Sequence, residues 1–124
     1  MNNFGFTAVI NDDVCKPGNI SYNSCLRNGS TVCYEHFVDK FSEDKVFMED
    51  DSYMLLLDGV IFNKKQILKD FSGGLFACLI DGYMRKGDVF FNGLRGSFCG
   101  FLMDKKKERY ILFTDHIGSK FLYY

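Results

Sequence analysis

At 124 residues the chain has the length of one domain, long enough to bury a core without disulfides or metals. Apolar residues make up 47% and charged residues 25%, a globular balance that excludes a disordered chain. The net charge of −1 argues against a nucleic-acid or anionic-membrane partner, and no apolar run has the length of a membrane span.

Phe4 to Ile10 is a short run rich in β-formers, closed by Asn11-Asp12-Asp13, and predicts a buried strand. Between Ile20 and Phe37 two alternating segments flank Asn28-Gly29, a hairpin signal. Val46-Phe47-Met48 predicts a short strand, followed by the acidic loop Glu49-Asp50-Asp51. Tyr53 to Phe62 is almost continuously apolar, broken only by Asp58-Gly59, as in a strand covered on both faces. After it, Asn63 is placed to cap a helix with Ile67, Leu68 and Phe71 inward. Ser72-Gly73-Gly74 ends that helix. A second is predicted over Leu75 to Lys86, with Leu75, Cys78, Leu79, Gly82, Tyr83 and Lys86 at helical spacing and Gly87 as its C-terminal cap.

The last third reads as three antiparallel strands: Ser97 to Asp104, Arg109 to Asp115 and Lys120 to Tyr124. Phe98 and Leu102 alternate with Cys99, Phe101 and Met103, so this sheet is apolar on both faces and requires a layer on each. The fold class expected is α+β. Fourteen Phe, no Trp and a single proline (Pro17) suit sheet layers packed on flat neighbours. Met1-Asn2-Asn3 lacks the basic start of a signal peptide, so a cytoplasmic protein is expected.

The residue types alone yield no active site. Five cysteines (Cys15, Cys25, Cys33, Cys78, Cys99) form no regular framework and read as small buried fillers, those of the hairpin facing inward. Cys15, Cys25, Cys33 and His36 lie at intervals too long and irregular for a zinc site. His36 and His116 are the only histidines, and a Cys33/His36 pair has poor strand spacing for a nucleophile and its base. Ser72-Gly73-Gly74-Leu75 resembles the start of the pyrophosphate loop of ATP pyrophosphatases. Such a loop follows a strand, however, and here a helix precedes it, so a helix–helix turn is the better reading. Lys105 to Glu108 reads as a solvated hairpin turn, and Glu49-Asp50-Asp51 has no partner acids at calcium-loop spacing.

Three segments taken together carry a resemblance: residues 4–10, 58–68 and 81–124. Asp58-Gly59-Val60-Ile61-Phe62-Asn63 ends a strand and opens a helix, and Tyr83 and Gly87 close the second helix. Leu94, Gly96 and Phe98 enter a strand ending in Asp104. Asp115, Gly118 and Lys120 precede Phe121-Leu122-Tyr123-Tyr124. In this order the set resembles the N-terminal glutamine amidotransferase domain of asparagine synthetases, of the class II, Ntn-hydrolase type. That resemblance implies a four-layer αββα sandwich in which residues 120–124 form a buried core strand. Family domains continue with further strands, so a reduced or truncated fold is expected, or one whose open edge a partner covers.

The resemblance also implies what the chain lacks. Family glutaminases use an N-terminal cysteine as nucleophile and amine base; matching Gly5 to the family glycine puts Phe4 at that position. The family's Asn-Gly pair donates hydrogen bonds to the oxyanion; Gly59 is present, but Asp58 replaces the Asn, and an ionised carboxylate donates nothing. Loss of one such donor costs on the order of 100–1,000-fold in rate. The residues that grip the substrate ammonium match Val60 and Leu75, and the family's arginine-bearing loop that would hold the glutamine carboxylate has no convincing counterpart between Asn11 and Lys45.

The expectation is a single domain over residues 1–124 that is a catalytically inactive amidotransferase-like module, with no cofactor or metal. Its degenerate pocket comprises Phe4, Gly5, Asp58, Gly59 and Val60. Its expected partner is an asparagine-synthetase-like, ATP-dependent amide ligase, or its own copy through exposed strand edges. The alternative is a binding module whose former glutamine pocket holds another small molecule or a peptide, with Asp58 anchoring a cationic group. An enzyme with a relocated nucleophile, Cys33 or Cys99, ranks last.

Overall fold

The structure, a computed structural model, describes residues 5–10, 24–29, 31–36, 45–69, 71–118 and 120. Phe4, Cys15, the segment 11–23, much of the stretch searched for an arginine loop, and residues 121–124 of the last expected strand lie outside them.

Two antiparallel sheets and a helical layer make up the described fold, which is α+β. The first sheet holds β1 (Gly5–Val9), β2 (Ser24–Asn28) and β3 (Thr31–His36) in the order β1-β3-β2. The second holds β4 (Val46–Glu49), β5 (Tyr53–Ile61), β6 (Gly96–Asp104) and β7 (Arg109–Thr114) in that order. Between β5 and β6 run α1 (Lys64–Leu68), α2 (Leu75–Lys86) and a 3₁₀ helix over Gly87–Gly93.

The second sheet is apolar on both faces, and each face has its own core. From β5 and β6, Leu55, Leu57, Ile61, Phe98 and Leu102 point to the helices and pack with Leu79, Ile80, Tyr83 and Phe91. The alternate residues Met54, Leu56, Phe101 and Met103 point the other way and meet Cys33, with Phe6, Ala8 and Leu26 of the first sheet against them. The described residues therefore stack in three layers, helices on sheet on sheet. A hydrogen bond between Thr31 Oγ1 and Tyr110 Oη (3.0 Å) also bridges the two sheets.

The aromatic-rich composition is used in the helical core. Phe113 stacks on Phe91 with centroids 4.2 Å apart and ring planes at 13°. It fits because Gly100 has no side chain: a Cβ there would lie 2.1 Å from the Phe113 ring. Tyr83 donates from its buried hydroxyl to Asp104 (3.1 Å), tying α2 to the end of β6. Cys78 Sγ donates to the Ile67 carbonyl at 3.4 Å and joins the two helices.

Several local expectations are corrected. The hairpin turn falls one residue later than Asn28-Gly29 implied, because Asn28 is still paired with Thr31 and Gly29 takes φ +59° beyond it. Asn63 precedes α1 but makes no capping hydrogen bond. Its amide instead donates to Gly93 O (2.9 Å) and accepts from Arg95 N (2.9 Å), so it pins the entry to β6. Cys25 is exposed, not inward, because Leu26 takes the core-facing position opposite Cys33. Lys105 is not a solvated turn residue: its ammonium reaches Glu49 (2.9 Å) and the Asp50 carbonyl (2.6 Å). The 3₁₀ helix was not anticipated; it extends α2 after Gly87 and brings the Phe90 ring onto Gly82.

Candidate functional site

Asp58 lies on the inter-sheet face of β5, in line with Met54 and Leu56, and is 7% exposed. The register sets it opposite Cys99 of β6, on the same face as Phe101 and Met103. From the first sheet, Gly5 approaches from above: with φ +144° and no side chain, it would place a Cβ 3.6 Å from Asp58 Oδ2. Gly5 and Asp58, residues far apart in sequence, are thus brought together. Val60 follows on the same strand and pairs with Ser97.

Gly59 faces the opposite way and is held for a packing reason. It takes φ +136°, and a Cβ would meet Ser97 O at 2.1 Å and Phe98 Cα at 2.6 Å. Gly96 is its counterpart on β6, with φ +156° and Val60 O at 2.1 Å from a would-be Cβ. Two glycines thus let the β5 and β6 backbones pack closely beside Asp58. Leu75, the other residue matched to the ammonium clamp, begins α2 and packs in the helical core.

One charged residue of the site was missed. Lys120 places its Nζ 3.7 Å from Asp58 Oδ2, with the lysine side chain 43% exposed and that of the aspartate 11%. The turn before it delivers the lysine. Asp115 is buried, accepts from Phe98 N (3.0 Å) and Ile117 N (3.1 Å), and gives its own N–H to Phe98 O (3.1 Å). Gly118 then takes φ +63° and donates to Asp115 O (3.2 Å). The spacing Asp115-x-x-Gly118-x-Lys120 was the available signal; what it could not say is that the lysine returns to Asp58.

His116 is outside this group. Its Nε2 accepts from Arg95 Nη1 at 2.6 Å, since a guanidinium only donates. Arg95 also donates to Asn92 O and Leu94 O, so the contact belongs to the loop entering β6. Among the described residues, no three His, Cys, Asp or Glu side chains are grouped to hold a metal ion.

Two of the described thiols, Cys33 and Cys99, are poor nucleophiles. Burial, then the charge of Asp58, pushes the Cys99 thiol up to about 11, against a partial lowering by Lys120. Burial is also the main cause for Cys33, raised to about 12. At pH 7.5 the thiolate is then about a thousandth or less of either group. Iodoacetamide on the native chain should therefore label Cys25 while sparing Cys33 and Cys99, with all three labelled in denaturant. Labelling of native Cys99 as fast as Cys25 in a peptide-mass time course would restore it as a nucleophile.

A family model described as a glutamine amidotransferase domain matches residues 35–124, which span the end of β3, both helices and the whole second sheet. The match covers well over half of the chain, and the protein belongs to that family. No match was found among curated proteins.

Proposed function

We propose that this is a glutamine amidotransferase domain without glutaminase chemistry, serving as the structural or docking part of an asparagine-synthetase-like, ATP-dependent amide ligase. The observation that carries this reading is the environment of Asp58. Where the family resemblance calls for an amide that donates to an oxyanion, the chain presents a carboxylate facing an ammonium group. A carboxylate repels the negative charge that develops in amide hydrolysis, and loss of one oxyanion donor alone lowers rates by roughly 100–1,000-fold. The raised thiols of Cys33 and Cys99 favour this reading over a relocated nucleophile. In the same reading, residues 1–124 form one domain, and the three described layers belong to the family's four-layer αββα sandwich.

The test is glutamate release from L-glutamine by the purified chain, followed by coupled assay over hours at micromolar protein. Release should equal the protein-free blank. Saturable release above it would overturn the proposal.

A further inference from the structure

We infer that the end of the second sheet where β5 and β7 finish and β6 begins docks an acidic segment of a partner protein, one that carries an apolar anchor. The inference rests on the docking role proposed above for its setting, while the face and its chemistry are tested apart from it.

Phe62 and Ile117 are 73% and 87% exposed, the two highest values among the large apolar side chains described. Single exposed apolar residues are ordinary on a surface; what asks for a reason is that these two share one end of one sheet. Phe62 directly follows β5 and gives its N–H to Arg95 O (2.6 Å), just before β6. Arg95 Nη1 in turn reaches His116 Nε2 (2.6 Å), the neighbour of Ile117 in the turn after β7. Asp115 ties that turn to β6 through both the N–H and the carbonyl of Phe98. Both apolar side chains are thus carried on segments anchored to the sheet.

The charge at this end has one sign. Segments 62–69, 92–96 and 114–118 hold Lys64, Lys65, Lys69 and Arg95 against a single acid, Asp115, which is buried and accepts two backbone N–H groups. Lys65, Lys69, Arg95 and His116 are exposed. The exposed acids Glu49, Asp50, Asp51 and Glu108 lie at the other end, beyond the Tyr53↔Asp104 pair, and Asp88 is engaged by Arg109. The complement of two apolar anchors within a basic surround is an apolar side chain flanked by carboxylates. Arg95 is ready for one: Asn92 O, Leu94 O and His116 fix its guanidinium through Nη1, which lowers the ordering cost of binding. The net charge of −1 argues against a nucleic acid or an anionic bilayer and leaves the protein segment as the occupant.

The experiment is an NMR titration of the whole chain with the acetylated, amidated peptide Asp-Glu-Leu-Phe-Glu-Asp. Amide signals of residues 62–65, 95 and 116–117 should shift, and a peptide with lysine at every acidic position should leave them in place. Phe62→Ser and Ile117→Ser should each weaken binding about tenfold, the loss of one anchor, and added salt should weaken it further. Leu112→Ser, which removes an exposed apolar side chain from β7, should change nothing. Ile117→Ser, in an exposed turn, keeps the test open should the Phe62 variant lose structure. No shift at this end, equal binding of the basic peptide, or unaltered binding by both anchor variants would each overturn the proposal. So would shifts given by phosphatidylserine vesicles and not by the peptide, which would make the face a membrane contact. Glutamate release is read separately, so failure here leaves the loss of glutaminase chemistry untouched, and the reverse holds.

Discussion

Gly59→Ala is expected to destabilise the chain by about 3–5 kcal/mol, the range in which a small domain is largely unfolded. Two costs combine. The residue holds φ +136°, a region that L side chains rarely adopt. In addition, the new Cβ would be set 2.1 Å from Ser97 O and 2.6 Å from Phe98 Cα. Both are backbone atoms of β6, so relief cannot come from a rotamer change. It requires that the Gly59↔Phe98 pairing open, and that pairing lies within the nine-residue register joining β5 to β6. Urea unfolding followed by circular dichroism measures the effect. A loss below about 1 kcal/mol would mean that the two strands separate here at little cost, contrary to the packing described.

Phe101→Ala is expected to cost about 3–5 kcal/mol, as for other fully buried aromatic truncations. Phe101 is 1% exposed and lies among Met54, Leu56, Met103 and Cys33, on the face where the two sheets meet. It also contacts Tyr110, with centroids 5.9 Å apart, and Tyr110 is the residue that reaches Thr31 in the first sheet. The cavity should therefore loosen the contact between the sheets more than that between the second sheet and the helices. Amide hydrogen exchange can separate these effects. Protection in β3 should fall further than protection in α2. An equal fall in both would show that the inter-sheet core has no independent role, and an unchanged melting curve would contradict the burial itself.

Much of the element order was legible because the local signals were strong. Helix α2 runs from Leu75 to Lys86 as its apolar spacing and Gly87 predict. The nearly continuous apolar run in β5, broken only by Asp58-Gly59, correctly implied cover on both faces. What failed was chemistry that depends on distant partners. Asn63 has the residue type of a helix cap, but its amide is taken by Gly93 and Arg95, some thirty residues on. Lys105 reads as a surface lysine until the Glu49 carboxylate is placed beside it. The 3₁₀ helix carries no periodicity of its own; it follows from the need of Phe90 and Phe91 to reach Gly82 and Phe113.

The site divides in the same way. The resemblance named Gly5 and Asp58 together, and the structure sets them near one another: a Cβ built on Gly5 would lie 3.6 Å from Asp58 Oδ2. Lys120 escaped because an ion pair across 62 residues of sequence leaves no local pattern, and its partner lies in a strand that reads as core. Phe4 lies outside the described residues, so its place in the pocket rests on the resemblance alone.

The pleat of β5 has a consequence for how such a domain can change. Leu55, Leu57 and Ile61 point to the helices, whereas Asp58 points to the other sheet. Chemistry and scaffold thus occupy opposite sides of a single strand, separated by one backbone thickness. A substitution at position 58 can exchange an acceptor for a donor on that face without touching a side chain of the helical core. The strand acts as an insulator: a polar group on its inter-sheet face can be exchanged while the packing on its other side stays as it was.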